Sequence, residues 1–152
     1  MRPATLPRIA ASAALILLAL AAQPAGADNP DTVTLTVTVE GLRSQEGQLL
    51  VLLFDDAKAF PMQIDRAAMA RQVAVDGDRV TLRFDEVPRG TYALSLIHDE
   101  DADSQLDTNL LGIPREGLGV SNNNLDRFPR FRDAAFEVAG RDPDLTIRLL
   151  YL

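Results

Sequence analysis

The chain has 152 residues, with 15 cations against 22 acids, one histidine and no cysteine. A formal charge of −7 repels phosphate backbones, so nucleic acid is disfavoured as a partner. Without cysteine there is no disulfide and no thiol nucleophile, and a single histidine rules out a multi-histidine metal site.

The start of the chain is cationic (Arg2, Arg8) and carries no acid before Asp28. An apolar run from Ile9 to Ala22 ends at Gln23-Pro24, and Ala25-Gly26-Ala27 supplies small residues in an A-x-A pattern. This is the layout of a cleavable secretory signal peptide over Met1 to Ala27. The run is shorter than the about 20 residues of a membrane span, so no span is expected in the mature form. Cleavage leaves residues 28–152 as one domain of 125 residues, with 13 cations against 22 acids and a formal charge of −9. The expected location is periplasmic or extracellular, where a cysteine-free domain depends on its core and on any bound ion.

Val33, Leu35, Val37 and Val39 alternate with threonines, the pattern of a strand with one wet face. Leu49 to Phe54 is continuously apolar, which suits a central strand. Asp55 or Asp56 is placed to cap a short helical turn that Pro61 limits. Arg71 to Val75 and Arg79 to Phe84 read as two strands joined by Asp76-Gly77-Asp78, a hairpin signal. After the turn Pro88-Arg89-Gly90, Thr91 to His98 forms a strand with Tyr92, Leu94, Leu96 and His98 on one face. Phe136 and Val138 begin another, and Leu145, Ile147, Leu149 and Tyr151 mark the last. About seven short strands predict an all-β, Ig-like or transthyretin-like antiparallel sandwich. An eight-stranded outer-membrane barrel competes, but it needs aromatic girdles, and this chain has no Trp and two Tyr.

Residues 98–133 show no strand or long helix signal and contain four prolines or glycines before the run Ser121-Asn122-Asn123-Asn124. Loops beyond about 12–15 residues are uncommon in compact domains and are usually functional or disordered. The many apolar residues here, including Leu106, Leu118, Val120, Leu125 and Phe128, predict one long ordered loop packed over the sandwich.

That loop opens with aspartates at alternate positions. With Asp99 at the first position of an EF-hand-type calcium loop, Asp101, Asp103, Gln105 and Asp107 fall at three, five, seven and nine. Calcium takes six to eight hard oxygens, and alternate residues of a tight turn direct carboxylates to one centre. Four aspartates so close repel one another unless a cation or water screens them. Two features depart from the pattern: Ser104 replaces the turn glycine, and Leu110 stands where a bidentate Glu belongs. Glu116, Asp126 and Asp133 are the substitutes farther along. The alternative is a solvated acidic loop.

His98, Asn109, Ser121, Asn122 and Asn123 are the candidate residues for a polar ligand. The structural alternatives are a hydrogen-bonded histidine at the sandwich rim and asparagines that accept left-handed turns. No serine lies in a G-x-S-x-G elbow, and there is no P-loop or Rossmann fingerprint. No catalytic residue is assigned.

The segments Pro88-Arg89-Gly90-Thr91-Tyr92-Ala93, His98-Asp99, Leu106-Asp107-Thr108-Asn109 and Gly112-Ile113-Pro114-Arg115-Glu116-Gly117 occur together. With Gly119, Ser121-Asn122-Asn123, Phe131, Ala134 and Phe136, they resemble the bacterial family called domain of unknown function 2141. The resemblance covers about residues 33–151 and implies an exported single domain without an assigned activity. Three readings follow. The first is a non-enzymatic periplasmic or secreted binding module braced by calcium. The second is a metal-dependent hydrolase using His98 and loop carboxylates. The third is a structural envelope protein.

Overall fold

Thr32–Glu40 (β1) buries Val33, Leu35, Val37 and Val39 and leaves its threonines half-buried, as the alternation requires. A computed structural model describes residues 31–103, 108–110, 114–125 and 128–152. The expected leader, Gln105, Asp107 and Asp126 lie outside the described residues. The remaining strands are β2 (Gln48–Phe54), β3 (Met69–Ala74), β4 (Arg79–Pro88), β5 (Gly90–Asp99), β6 (Gly117–Val120), β7 (Phe136–Val138) and β8 (Asp144–Arg148). One helical turn, α1 (Phe131–Ala134), precedes β7. No helix among the described residues is long and apolar enough to cross a membrane.

The strands form two sheets. In the first, β1 lies between β4, antiparallel, and β8, parallel. In the second, the order is β3-β2-β5-β6, with β7 beside the start of β5. Leu35, Val37, Leu53, Phe84, Leu94, Leu96 and Ile147 pack between them, so the fold is an all-β sandwich, as expected. Each such side chain contributes about 1.5–3 kcal/mol on burial. Solvent-exposed ion pairs such as Arg79–Glu40 contribute about 0–1 kcal/mol each, so the core dominates stability.

In β5, every residue from Tyr92 to Asp99 is buried. Its second face is covered by a smaller cluster of Leu52, Phe54, Phe60, Ala93, Val120 and Ala134. Phe60 meets Phe54 and Phe131 edge-on, with ring centroids 5.7 and 6.0 Å apart. The irregular segment after β2 thereby closes over the sheet. Asp56 starts it as expected: its carboxylate accepts the Lys58 N–H at 2.8 Å, and its carbonyl accepts those of Ala59 and Phe60.

Two expectations are corrected. Residues 71–84 do not form a hairpin. Instead β3 pairs with β2 and β4 with β1, so Asp76-Gly77-Asp78 carries the chain from one sheet to the other. A type I′ hairpin turn requires positive φ, and Gly77 lacks it. Burial of both Val75 and Val80 in the inter-sheet core favours the crossing. Nor is the 98–133 segment one unbroken loop. It contains β6, a 3-10 turn at Ser121–Asn123 and α1, which raises the strand number to eight among the described residues. The glycines that hide β6 in the sequence serve close packing. A Cβ on Gly119 would lie 2.8 Å from Ile147 and 2.9 Å from Leu96.

Candidate functional site

The end of β5 places His98 and Asp99 on opposite faces of the second sheet. His98 is fully buried. Its Nε2 lies 2.9 Å from the Glu46 carbonyl oxygen, which can only accept, so Nε2 carries a proton and donates. Its Nδ1 then accepts from the Tyr151 hydroxyl at 2.7 Å. The same hydroxyl oxygen accepts the Arg43 N–H at 3.2 Å. Both imidazole nitrogens are therefore engaged within the fold, and the hydrolase alternative loses its base. The hydrogen-bonded histidine expected at the sandwich rim is fully buried, and its partners are Glu46 and Tyr151.

Arg43 locks this corner. Its guanidinium sits 4.4 Å from the Tyr151 ring centroid, pairs with both oxygens of Glu100 and reaches the Arg115 carbonyl at 3.0 Å. Hydrogen bonding from Arg43 holds the Glu100 carboxyl below the usual carboxylate range against the opposing effect of burial, and the Ser44 hydroxyl adds to the lowering. Burial raises the Tyr151 phenol, so it stays protonated and able to donate. Gly47 closes the corner from below: it has φ +70°, and a Cβ there would fall 2.0 Å from the Asp99 carbonyl oxygen.

Asp99, Asp101 and Asp103 each present a carboxylate oxygen, and these oxygens lie within 4.8 Å of one another. Asp99 is buried, and its carboxylate accepts from Gln48 Nε2 at 2.8 Å and from the Asp103 N–H at 3.2 Å. Asp101 and Asp103 are exposed. The Asp103 N–H also approaches Asp101 Oδ1 at 3.4 Å. One member is thus buried and two are exposed to solvent, an arrangement suited to a hard cation. Glu116 is buried just before β6, where the register that sets His98 opposite Gly117 continues toward Asp99. It does not belong to the three-carboxylate group. Asp133 is held by Arg130 at 3.0 Å and Arg132 at 3.5 Å in α1.

The polar run after β6 works as a fastening. Ser121 is fully buried. Its hydroxyl oxygen accepts the Leu94 N–H at 2.9 Å and its proton goes to the Ala134 carbonyl. Asn122 donates to the Ala135 carbonyl at 3.0 Å, and Asn123 donates to Thr146 O and accepts from the Arg148 N–H. Both asparagines have positive φ, the left-handed turn anticipated from the sequence. These three residues join β5, α1 and β8. Asn109 is exposed. Sequence reading missed Arg43, Glu46 and Tyr151 because they come together at this corner from distant parts of the chain: Glu46 and Tyr151 bond His98, and Arg43 bonds Tyr151. The one available signal was a tyrosine on the apolar face of the last strand.

No curated protein and no solved structure matches the chain. A family model described as "Uncharacterized protein conserved in bacteria" matches residues 37–146, from the middle of β1 to the middle of β8. That span is well over half of the sequence, and the chain belongs to the bacterial family DUF2141.

Proposed function

We propose that the chain is an exported, non-enzymatic binding module whose Asp99–Asp103 turn holds calcium. The observation that carries the reading is the approach of three carboxylates to within 4.8 Å of one another at the end of a strand buried from Tyr92 to Asp99. Bringing like charges together is unfavourable, and a divalent ion reverses the sign of that interaction. Asp99, Asp101 and Asp103 supply the first oxygens. The spacing nominates Gln105 through its carbonyl and Asp107 for further positions. The ion would tie the turn to β5 and so brace the chain between β5 and β6. Export rests on the leader pattern of Met1 to Ala27 and fits this role, since extracellular modules bind calcium at about 0.1–1 mM. The non-enzymatic reading rests on His98, whose nitrogens are both engaged.

Isothermal titration of the purified protein with calcium chloride tests the site. The expected result is one saturable event that disappears in Asp101→Asn/Asp103→Asn. Absence of saturable heat at millimolar calcium would remove the metal from the reading.

A further inference from the structure

The outer face of the second sheet is left partly open beside the Phe54–Phe60–Phe131 cluster. Ser95 pairs with Val120 and Ile97 with Leu118 across β5 and β6. These four residues, with Met62 and Phe128 among others, line a cavity of about 400 Å³. That volume falls in the range of about 300–1,000 Å³ typical of small-molecule sites. Among the described residues, no charged side chain lines it. The Ser95 hydroxyl donates to the Pro61 carbonyl at 2.7 Å, so its proton is already used. Met62 and Phe128 remain 39% and 72% exposed, an apolar rim in a chain of formal charge −7.

We propose that this cavity binds an uncharged, lipid-like small molecule. The inference rests on reading the chain as a binding module and supplies the ligand class for it. Three observations select the occupant. The described lining residues offer dispersion contacts and burial of hydrocarbon, and none of their side chains carries a charge to pair with an ionic ligand. The acidic turn begins two residues beyond Ile97, so an anionic head near that end meets Asp99, Asp101 and Asp103 and is repelled. The site is concave and of small-molecule size, whereas a stable protein interface needs about 1,000 Å² of buried surface. A fatty alcohol or a neutral polycyclic hydrocarbon meets these conditions, and a fatty acid anion does not.

The test is fluorescence titration of the purified protein with N-phenyl-1-naphthylamine, a neutral apolar probe. The chain has no tryptophan, so background emission is low. Expected are saturable one-to-one enhancement with a blue shift, and displacement by decanol at concentrations at least tenfold below those needed for decanoate. Met62→Asp and Phe128→Asp should each weaken the probe at least tenfold while keeping the wild-type melting temperature. Thr81→Asp, exposed on the other sheet, should not change binding. Non-saturating emission, equal displacement by decanol and decanoate, or equal affinity in all three variants would overturn the proposal. So would a dimer in sedimentation that Met62→Asp dissociates, since a second copy would then cover the face. Repeating the titration in chelator separates the two claims. Probe binding without any calcium response contradicts only the metal, and a calcium response without probe binding contradicts only the cavity.

Discussion

The Tyr151 hydroxyl donates to Nδ1 of His98 at 2.7 Å and ties the end of the chain to the root of the acidic turn. The bond crosses the sandwich: His98 is the penultimate residue of β5 in the second sheet, while Tyr151 follows β8 of the first. It also fixes the histidine tautomer, because Nε2 must donate to the Glu46 carbonyl.

Tyr151→Phe keeps the ring under Arg43 but leaves a buried imidazole nitrogen without its donor. A lost partner on a buried polar atom costs about 1–3 kcal/mol. The expected outcome is a lower urea midpoint with an unchanged denaturant slope. A variant as stable as the wild type would show that the contact is not part of the fold's stabilisation.

Glu100 predicts an acid limb in stability. Its folded carboxyl holds a proton more weakly than the unfolded chain does, because Arg43 donates to both of its oxygens. Its contribution is full above the ordinary carboxylate value of about 4.3 and is lost as pH falls through the lower folded value. In Glu100→Gln the melting temperature should depend less on pH below about 4.3 than in the wild type. Superimposable acid profiles would contradict the pairing.

Ser121→Ala removes the acceptor of the buried Leu94 N–H and the donor to Ala134. The loss should be about 1–3 kcal/mol in urea unfolding. Amide exchange at Leu94 and around α1 should accelerate more than exchange in β1, which does not contact Ser121. Uniform acceleration would indicate a global effect instead.

The sandwich was legible where burial is periodic. Val33 to Val39 declare their inward face through strict alternation, because one face packs on the inter-sheet core, and Tyr92, Leu94 and Leu96 share the face that packs there. The partners of those strands were not legible. Asp76-Gly77-Asp78 has hairpin chemistry, yet Val75 and Val80 are satisfied by joining two sheets instead of one. β6 was hidden because glycine usually signals a turn, and Gly119 signals only that Ile147 and Leu96 need its space. The spacing of Asp99, Asp101 and Asp103 did foretell their convergence, since it is a local property of a turning chain. The engagement of His98 was invisible because Glu46 and Tyr151 lie more than 50 residues away on either side. Leu118 and Phe128 were read as packing over the sandwich, whereas they line an open cavity.

Thermal unfolding in calcium and in chelator tests the calcium-held turn most directly. With a dissociation constant near 0.1 mM, about 1 mM calcium adds about 1.4 kcal/mol, a rise of about 3–6 °C in melting temperature for a domain of this size. Asp101→Asn/Asp103→Asn should abolish that rise. In chelator the same variant should melt above the wild type, because two repelling charges are gone. Identical wild-type melting curves in millimolar calcium and in chelator would contradict the account.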